Sequence, residues 1–176
     1  VIDTCVIVDT LQSREPFCKE AQSIFLLCAN QQFEGFLTAK AITDIYYLTH
    51  RQTHSDKATR DVLTKLCALF VLLDTTALDI RKAISAEISD FEDAVMVETA
   101  VRSGADCIVT RNTKDYAKAQ IAVCTPEEFI QQINEDTGLY YACESTRDLA
   151  ERLSQLVEGI PPNGAAFAFE SGGPYA

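Results

Sequence analysis

Four aspartates stand where carboxylates on separate elements could act together, namely Asp3, Asp44, Asp93 and Asp115. A divalent cation such as Mg²⁺ prefers oxygen ligands and keeps several waters, so a few carboxylates suffice to hold it against a phosphate. Such an ion can lower the pKa of a bound water, orient it for in-line attack on phosphorus and stabilise the leaving oxyanion. The four residues therefore predict a cation site for phosphodiester hydrolysis.

Three of these aspartates also have ordinary structural explanations. Asp3 can cap the turn that follows it, Asp93 favours a helix N-terminus, and Asp115 suits a turn. Taken one at a time, the structural roles are favoured, because Asp is common at caps and turns. The case for chemistry therefore depends on the four residues as a set.

Asp44 lacks such an explanation. The apolar spacing of residues 40–51 predicts a helix, capped by Thr38, that leaves little polar face and is largely buried. Asp44 lies between Ala41 and Leu48 on one stripe, where a carboxylate costs several kcal/mol unless it is paired or bound to metal. Caps and turns do not account for an acid inside an apolar helix. Asp44 is therefore the strongest single indication of a site.

Alternating strands and helices must position these side chains. Apolar segments predict strands at residues 1–2, 33–37, 70–73, 107–109 and 121–123. Helical spacing and caps predict helices at residues 15–30, 40–51, 76–87 and about 145–157, with others beginning at Ser55, Asp90 and Thr125. The alternation predicts an α/β fold, a three-layer α/β/α sandwich around a mainly parallel sheet of about five strands. Ligands of such sheets gather beyond the carboxyl ends of the strands, where Asp3 and the turn at residues 110–115 lie.

The composition indicates one core in a reducing compartment. The chain has 176 residues, 47% of them hydrophobic, which is enough for one buried core and too few for two ordinary domains. No apolar run approaches a membrane span, and the first residues lack a basic secretory region. The seven cysteines contain no pair spaced as a metal knuckle or a CxxC motif, so we expect free and mostly buried thiols. We therefore expect a cytoplasmic protein that does not contact a membrane.

The charge is strongly acidic. A net charge of −11 argues against a sequence-independent nucleic-acid binder, which usually carries a basic face. It does not exclude a nuclease, because bound divalent metal would offset part of the excess. The helical and strand patterns weaken beyond residue 133. We therefore expect a domain at residues 1–133 and an acidic extension at residues 134–176, with one helix and a mobile end.

Four segments resemble PIN domains in their order and spacing. They are Ile2-Asp3-Thr4, Thr43-Asp44-Ile45-Tyr46-Tyr47-Leu48, Asp90-Phe91-Glu92-Asp93-Ala94 and Ala105-Asp-Cys-Ile-Val-Thr110-Arg-Asn112-Thr-Lys-Asp115-Tyr116. The resemblance covers roughly residues 1–133. It is closest to bacterial PIN-domain proteins, including the VapC-type toxins of toxin–antitoxin systems.

The resemblance implies that Asp3, Asp44, Asp93 and Asp115 form the Mg²⁺ or Mn²⁺ pocket of an endoribonuclease acting on single-stranded RNA. Thr110 and Asn112 would be supporting polar groups. Asp90 precedes Asp93 by one helical turn and could join the pocket, although we favour a capping role for it. By the same analogy we expect a homodimer, and the role of a toxin with an antitoxin partner is one that the resemblance allows.

One residue departs from the family pattern. Many PIN domains have Asn two residues after the first Asp, where this chain has Cys5, a poor hydrogen-bond substitute. This departure bears on activity more than on fold, because all four acids are retained. The alternative to a ribonuclease is therefore a catalytically weak or inactive PIN fold that binds RNA or a protein.

Basic residues beside the proposed site are candidates for contacting substrate phosphates. Arg111 and Lys114 are the nearest, and the further options are Lys118, Lys40 and Arg51. A solvated face is the ordinary interpretation of all five. Whether any of them meets a phosphate depends on the fold.

Other functional classes fit less well. A haloacid-dehalogenase-type phosphatase would need a second Asp where Cys5 stands, and a receiver domain would need an acidic pair and a lysine that are not evident. His50 and His54 lack a further histidine, so we expect surface positions rather than a zinc site. The leucine stripe of residues 145–157 suggests a segment that packs in a groove of its own or a second copy, as an antitoxin segment would.

Overall fold

The computed structural model of the protein describes residues 1–137, which form seven α-helices, four β-strands and one 3₁₀ helix. The helices are α1 (Thr4–Leu11), α2 (Cys18–Ala29), α3 (Ala39–Thr53), α4 (Asp56–Leu69), α5 (Ala77–Ser85), α6 (Phe91–Arg102) and α7 (Pro126–Thr137). The strands are β1 (Phe36–Thr38), β2 (Val71–Leu73), β3 (Cys107–Val109) and β4 (Ala122–Cys124), and the 3₁₀ helix is Thr113–Tyr116.

The strands form two parallel pairs joined by the start of the chain. β1 pairs with β2, and β3 pairs with β4. Residues 1–3 lie between the pairs, because the Ile2 N–H donates to the Phe36 carbonyl at 2.9 Å and the Asp3 N–H donates to the Val109 carbonyl at 3.0 Å. The order is β2, β1, residues 1–3, β3, β4, and every pairing is parallel.

This arrangement confirms the predicted α/β fold class, with one difference in the sheet. Residues 1–3 make a single bridge between Ile2 and Val109 rather than a strand, so the described residues contain four strands and not five. Because all strands run in the same direction, their carboxyl ends meet at one edge. Asp3, Thr38 and Thr110 each directly follow or end a strand segment at that edge.

Neighbouring residues of the sheet face opposite layers, as the alternation of side chains along extended chain requires. Ile2, Leu37 and Val109 belong to a core shared with α1, α2, α3, α4 and α7. The residues just before them, Val1, Phe36 and Ile108, pack in a second cluster with α6. Helices therefore cover both faces, which is the predicted three-layer arrangement.

The larger core depends on one close approach at Gly35. Phe25 and Phe70 pack edge to face with their ring centroids 5.1 Å apart, and both rings are buried. A Cβ on Gly35 would lie 2.6 Å from the Phe70 ring and 2.9 Å from the Cys28 sulfur. Glycine therefore lets the chain enter β1 against the aromatic pair.

The predicted capping residues of three helices are confirmed. The Thr38 hydroxyl accepts from the Ala41 N–H, the Ser55 hydroxyl accepts from the Ala58 N–H, and Asp90 caps α6. The predicted start of α2 was wrong. The helix begins at Cys18 because the Phe17 and Cys18 N–H groups both donate to the Arg14 carbonyl, which closes a turn first.

The predicted burial of α3 was also wrong. Only Ala41, Ile45 and Thr49 are buried, so the helix presents a narrow inner stripe and a broad outer face. Tyr47 lies on that outer face and is 68% exposed. The aromatic residues that suggested a buried helix therefore contribute little to the core.

Three remaining expectations concern surfaces and boundaries. Helix α7 runs through the predicted domain boundary at residue 133, and the predicted helix at 145–157 and mobile end lie outside the described residues. Within residues 1–137 no helix has both the length and the apolar character to cross a bilayer. The six cysteines of this region are free, and Cys67 is exposed rather than buried.

Candidate active site

Asp3 lies at the centre of the sheet edge and is 8% exposed. Extended backbone at Asp3 changes to helix at Thr4, so the residue is the N-cap of α1, and its carboxylate accepts from the Cys5 N–H at 3.4 Å. The Thr110 hydroxyl donates to Asp3 Oδ2 at 2.6 Å. Capping and hydrogen bonding thus fix the orientation of this carboxylate.

The turn after β3 is tied to Asp3 through Thr110, which is fully buried. Its hydroxyl accepts from the Asn112 N–H at 3.1 Å while donating to Asp3. The Asn112 side-chain amide in turn donates to Asp115 Oδ2. A continuous set of hydrogen bonds therefore links the carboxylates of Asp3 and Asp115 across the edge of the sheet.

Asp93 lies in the first turn of α6 and receives a hydrogen bond at 2.8 Å from the buried Tyr116 hydroxyl. Burial and, to a smaller extent, repulsion from Asp3, Asp90 and Asp115 raise the pKa of Asp93 to about 6, against the lowering effect of the hydrogen bond from Tyr116. Asp93 therefore lies among other acids, and its hydrogen-bond donor is a neutral hydroxyl rather than a cationic side chain.

Asp90 performs the predicted capping role. Its Oδ1 accepts from the Glu92 N–H at 2.8 Å and from the Asp93 N–H at 3.3 Å. A capping carboxylate at a helix N-terminus is also favoured by the helix dipole. Asp90 still faces the same cavity as Asp93, so its charge contributes to the local field.

Asp44 lies at the margin of the group. Its side chain is 27% exposed, and the Lys40 ammonium bonds its Oδ2 at 2.6 Å and Glu92 at 3.0 Å. The expectation of a carboxylate deep inside an apolar helix is therefore wrong, because Asp44 lies on the edge of α3 that faces α6. Its charge is balanced by Lys40, unlike that of Asp93.

Two adjoining cavities hold these acids. The larger has a volume of about 570 Å³ and is lined by Asp3, Asp90, Asp93, Asp115, Cys5 and Asn112, among others. A small one of about 50 Å³ is lined by Asp3, Asp93, Asp44 and Lys40, with further residues of α3 and α6. Asp3 and Asp93 line both cavities, so the fold brings the four predicted aspartates to one place.

A model of the PIN domain family matches residues 1–114 of the chain. The chain belongs to the PIN domain family. No curated protein matched the sequence, and no solved structure matched it either. PIN domains are generally nucleases that use divalent metal, and the acidic edge described above is the part of this PIN domain that suits such chemistry.

Cys5, the departure from the PIN pattern, contacts the site directly. Its thiol donates to Asp3 Oδ2 at 3.2 Å, and its sulfur lies 3.6 Å from the Thr110 hydroxyl oxygen. Burial and the Asp3 charge raise the pKa of Cys5 to about 11, so the thiol stays neutral and remains a weak donor. The sulfur thus contacts the same carboxylate that Thr110 orients.

The basic candidates occupy different places around this PIN domain. Arg111 lines the larger cavity, pairs with Asp9 at 3.1 Å and stacks over the Phe17 ring at 4.5 Å. Lys114 is exposed on the 3₁₀ helix. Arg111 is therefore at the site with part of its charge already balanced.

The three further basic options are divided between the site and the surface. Lys118 pairs with Glu87 at 2.8 Å, and both side chains are mostly exposed. Lys40 bridges Asp44 and Glu92 beside the acids. Arg51 lines a separate cavity together with His54. His50 stacks against Tyr46 with ring centroids 5.5 Å apart, and His54 is exposed at the end of α3.

Sequence reasoning missed Asp9 and gave no role to Tyr116. Asp9 is 1% exposed inside α1, and its Oδ2 pairs with Arg111, which ties α1 to the turn after β3. Asp9, and not Asp44, is the acid that lies buried inside an apolar helix. Tyr116 could be predicted only from its contact with Asp93, which lies 23 residues earlier in the chain.

The donor set suits a hard cation, although no closed cage is present. Among residues 1–137, no three His, Cys, Asp or Glu side chains are arranged as a metal-binding group. The available donors at the edge are carboxylate oxygens, which Mg²⁺ and Mn²⁺ accept, and Mg²⁺ keeps several waters of its own. The convergence of Asp3, Asp90, Asp93 and Asp115 on one cavity is the observation that favours a cation there.

Proposed function

We propose that this PIN domain is a metal-dependent endoribonuclease that hydrolyses phosphodiester bonds of single-stranded RNA. The observation that carries the proposal is the cavity in which Asp3 and Asp93 meet Asp90 and Asp115, with the pKa of Asp93 raised to about 6 by burial and by those neighbours. Arg14 and Arg111 also line this cavity, but Arg111 pairs with Asp9, and four acids held together are costly to a fold unless a bound cation offsets their repulsion.

In this proposal, Asp3, Asp93 and Asp115 hold Mg²⁺ or Mn²⁺, and Asp44 completes the set from the other side. When bound, the ion would activate a water and stabilise charge on the phosphate. The chain's own contribution is orientation. Thr110 fixes Asp3, Asn112 fixes Asp115, and Tyr116 fixes Asp93, as outer hydrogen bonds commonly do for metal ligands.

Arg111 and Lys114 would meet the phosphates of the substrate at the rim of this cavity. Arg111 is one third exposed and already paired with Asp9, so it offers only part of its five donors. Asp90 would keep its capping role and add to the field without binding the ion. Lys40 would balance Asp44 and Glu92 beside the site.

The decisive experiment compares Asp93→Asn with Asp106→Asn. Asp106 is exposed and directly precedes β3, so it lies at the amino end of the sheet, away from the site. We expect Asp93→Asn to reduce cleavage of a labelled single-stranded RNA in Mn²⁺ by more than about 100-fold, because outer partners of metal ligands alone typically cost about 10- to 100-fold. The Asp106→Asn variant should cleave RNA like the unaltered protein, and chelation of the metal should abolish cleavage by both of these proteins.

Equal loss of RNA in the Asp93→Asn and unaltered samples would overturn the ribonuclease proposal. A second candidate function would then apply, namely a PIN fold that binds RNA or a protein without cleaving it. The observation that favours it is the Cys5 thiol, a weak donor at the position where many PIN domains have Asn. Retained RNA binding without cleavage by the unaltered protein would support that second candidate.

Four narrower proposals concern the location, assembly, biological role and domain division of the protein. We propose a cytoplasmic location, which the free cysteines at residues 5–124 support. We propose a homodimer, which is supported by exposed apolar side chains on α5 and α6, including Leu78, Ile84 and Phe91. The role of a toxin held by an antitoxin protein is proposed from the family resemblance, as is the division into a nuclease domain at 1–133 and an extension at 134–176.

A further inference from the structure

A third cavity adjoins the larger of the two cavities that hold the acids, which we call the acidic cavity. It has a volume of about 450 Å³ and is lined by Gln12, Arg14, Leu48, Arg51, Gln52 and His54. Arg14 and Leu48 also line the acidic cavity, so the two spaces share a wall. We call this third cavity the arginine groove. It lies between the end of α1, the chain that follows it and the last turns of α3.

The charge of the arginine groove is opposite to that of its neighbour. Its lining contains Arg14 and Arg51, a histidine and two glutamines, and no acid. The acidic cavity is lined by four aspartates and by two arginines, Arg14 and Arg111, so its lining has an excess of negative charge. In a chain of net charge −11, the arginine groove is lined by cationic, neutral polar and apolar side chains, and it directly adjoins the proposed centre of hydrolysis.

Hydrogen bonds hold this wall in place. The Gln12 side-chain amide donates to the Leu48 carbonyl at 3.4 Å, which ties the end of α1 to α3. The Arg14 Nε donates to the Gln12 side-chain oxygen at 2.9 Å, and a terminal nitrogen of Arg14 lies 4.0 Å from Asp9. A guanidinium has five N–H donors, so a side chain that is 42% exposed keeps donors for a ligand.

We propose that the arginine groove binds the phosphodiester backbone of a single-stranded nucleic acid beside the phosphate that is cleaved. The inference rests on the proposed function, because it places the chain of the substrate on one side of that centre. Phosphate contacts fix the register of a nucleic acid, and positive grooves track the backbone of single strands. Arg14 and Arg51 would supply these contacts and offset the repulsion between the acidic cavity and the polyanion.

Binding should be measured separately from cleavage. The Asp93→Asn protein in Mg²⁺ serves as the background, with a fluorescent single-stranded RNA and a DNA of the same sequence as probes. Arg14→Gln and Arg51→Gln are added singly and together. Arg51→Lys tests whether a positive charge is sufficient or the planar guanidinium group is needed. Arg81→Gln is the matched control, because Arg81 is exposed and lines a different cavity beside α5.

The double variant should bind RNA roughly 10-fold or more weakly, because hydrogen bonds to charged groups are lost. The dependence of log affinity on log salt should become shallower by about 0.7 for each phosphate contact removed from a single strand. Arg51→Lys should retain most of the affinity, and Arg81→Gln should match the background. If the arginine variants bind both RNA and DNA more weakly, the groove contacts the phosphodiester backbone of either nucleic acid. If only the affinity for RNA falls, the ligand is RNA.

The two proposals can fail separately. If the unaltered protein cleaves RNA but the arginine variants keep their affinity and salt dependence, the groove proposal is overturned and the ribonuclease proposal stands. If the unaltered protein binds RNA through the two arginines without cleaving it, the groove stands and the ribonuclease proposal fails. Failure of the Asp93→Asn protein to bind either probe would also overturn the groove proposal.

Discussion

Asp79 and Asp93 lie near opposite ends of α6 and show how a fully bonded acid differs from one without a cationic partner. Asp79 is fully buried on α5, and Arg102, the last residue of α6, bonds both of its oxygens at 2.8 and 3.1 Å. The Thr76 N–H and hydroxyl donate to the same carboxylate, completing a capping box. Asp93, in the first turn of α6, has the Tyr116 hydroxyl as its side-chain donor.

The difference appears in their pKa values. For Asp79, burial would raise the pKa, but the hydrogen bonds and charge of Arg102 and the bonds from Thr76 outweigh it and lower the pKa. For Asp93, burial and neighbouring acids raise the pKa to about 6. Asp79 is therefore fully bonded within the fold, whereas Asp93 has no cationic partner, as expected of an acid that would hold a cation.

Removal of the cationic partner should have the largest effect. We expect Arg102→Ala to lower the free energy of unfolding by about 3 kcal/mol, because breaking a buried pair leaves an uncompensated charge. The measurement is urea unfolding at pH 7, with Arg81→Ala as the control on the exposed part of α5. A loss of the same size in both variants would show that Asp79 is not held by Arg102.

The pH dependence of stability should have opposite signs for the two acids. A raised pKa means that the folded state holds the proton of Asp93 more tightly, so its contribution to stability is present near pH 4 and lost as pH rises to about 6. A lowered pKa means that the contribution of Asp79 is present above its ordinary pKa and lost as pH falls below it.

Unfolding measured with chelator from pH 3 to 7 tests this contrast. The Asp93→Asn protein should lack the decline in stability between about pH 4 and 6 and should keep the loss at lower pH. Identical profiles for this variant and the unaltered protein would mean that the pKa of Asp93 is not raised in the folded state.

A smaller effect is expected from Tyr116→Phe, which removes one hydrogen bond and keeps the ring. The pKa of Asp93 should rise further, and RNA cleavage should fall by about 10-fold, as is typical for the loss of a group that orients a metal ligand. The fall should be greatest at low pH and partly recovered as pH rises. Tyr47→Phe, on the exposed face of α3, is the control and should cleave normally.

The sequence was sufficient where local rules govern the fold. Thr38, Ser55 and Asp90 cap their helices as predicted, because a cap depends on residues two or three positions away. The direction of the strands followed from their alternation with helices, and this placed Asp3 and Thr110 at one edge. The family resemblance was confirmed over residues 1–114.

The sequence was insufficient where contacts between distant residues decide. Apolar spacing suggested that α3 is buried, but only its neighbours show that Tyr47 faces outward and that Lys40 balances Asp44. The same limitation hid the pairing of Asp9 with Arg111. The arginine groove joins residues from α1 and α3 that are far apart in the chain, so no local pattern indicated it.

Residues 1–3 connect the two strand pairs, so separation of either pair would disturb the site. The amides of Ile2 and Asp3 bond one strand pair each, so either amide exchanges with solvent only when its side of the junction opens. Hydrogen–deuterium exchange at these two positions would therefore show which half of the sheet separates first. Because Asp3 is part of the junction, the more readily opened half also sets how often the acidic cavity is intact.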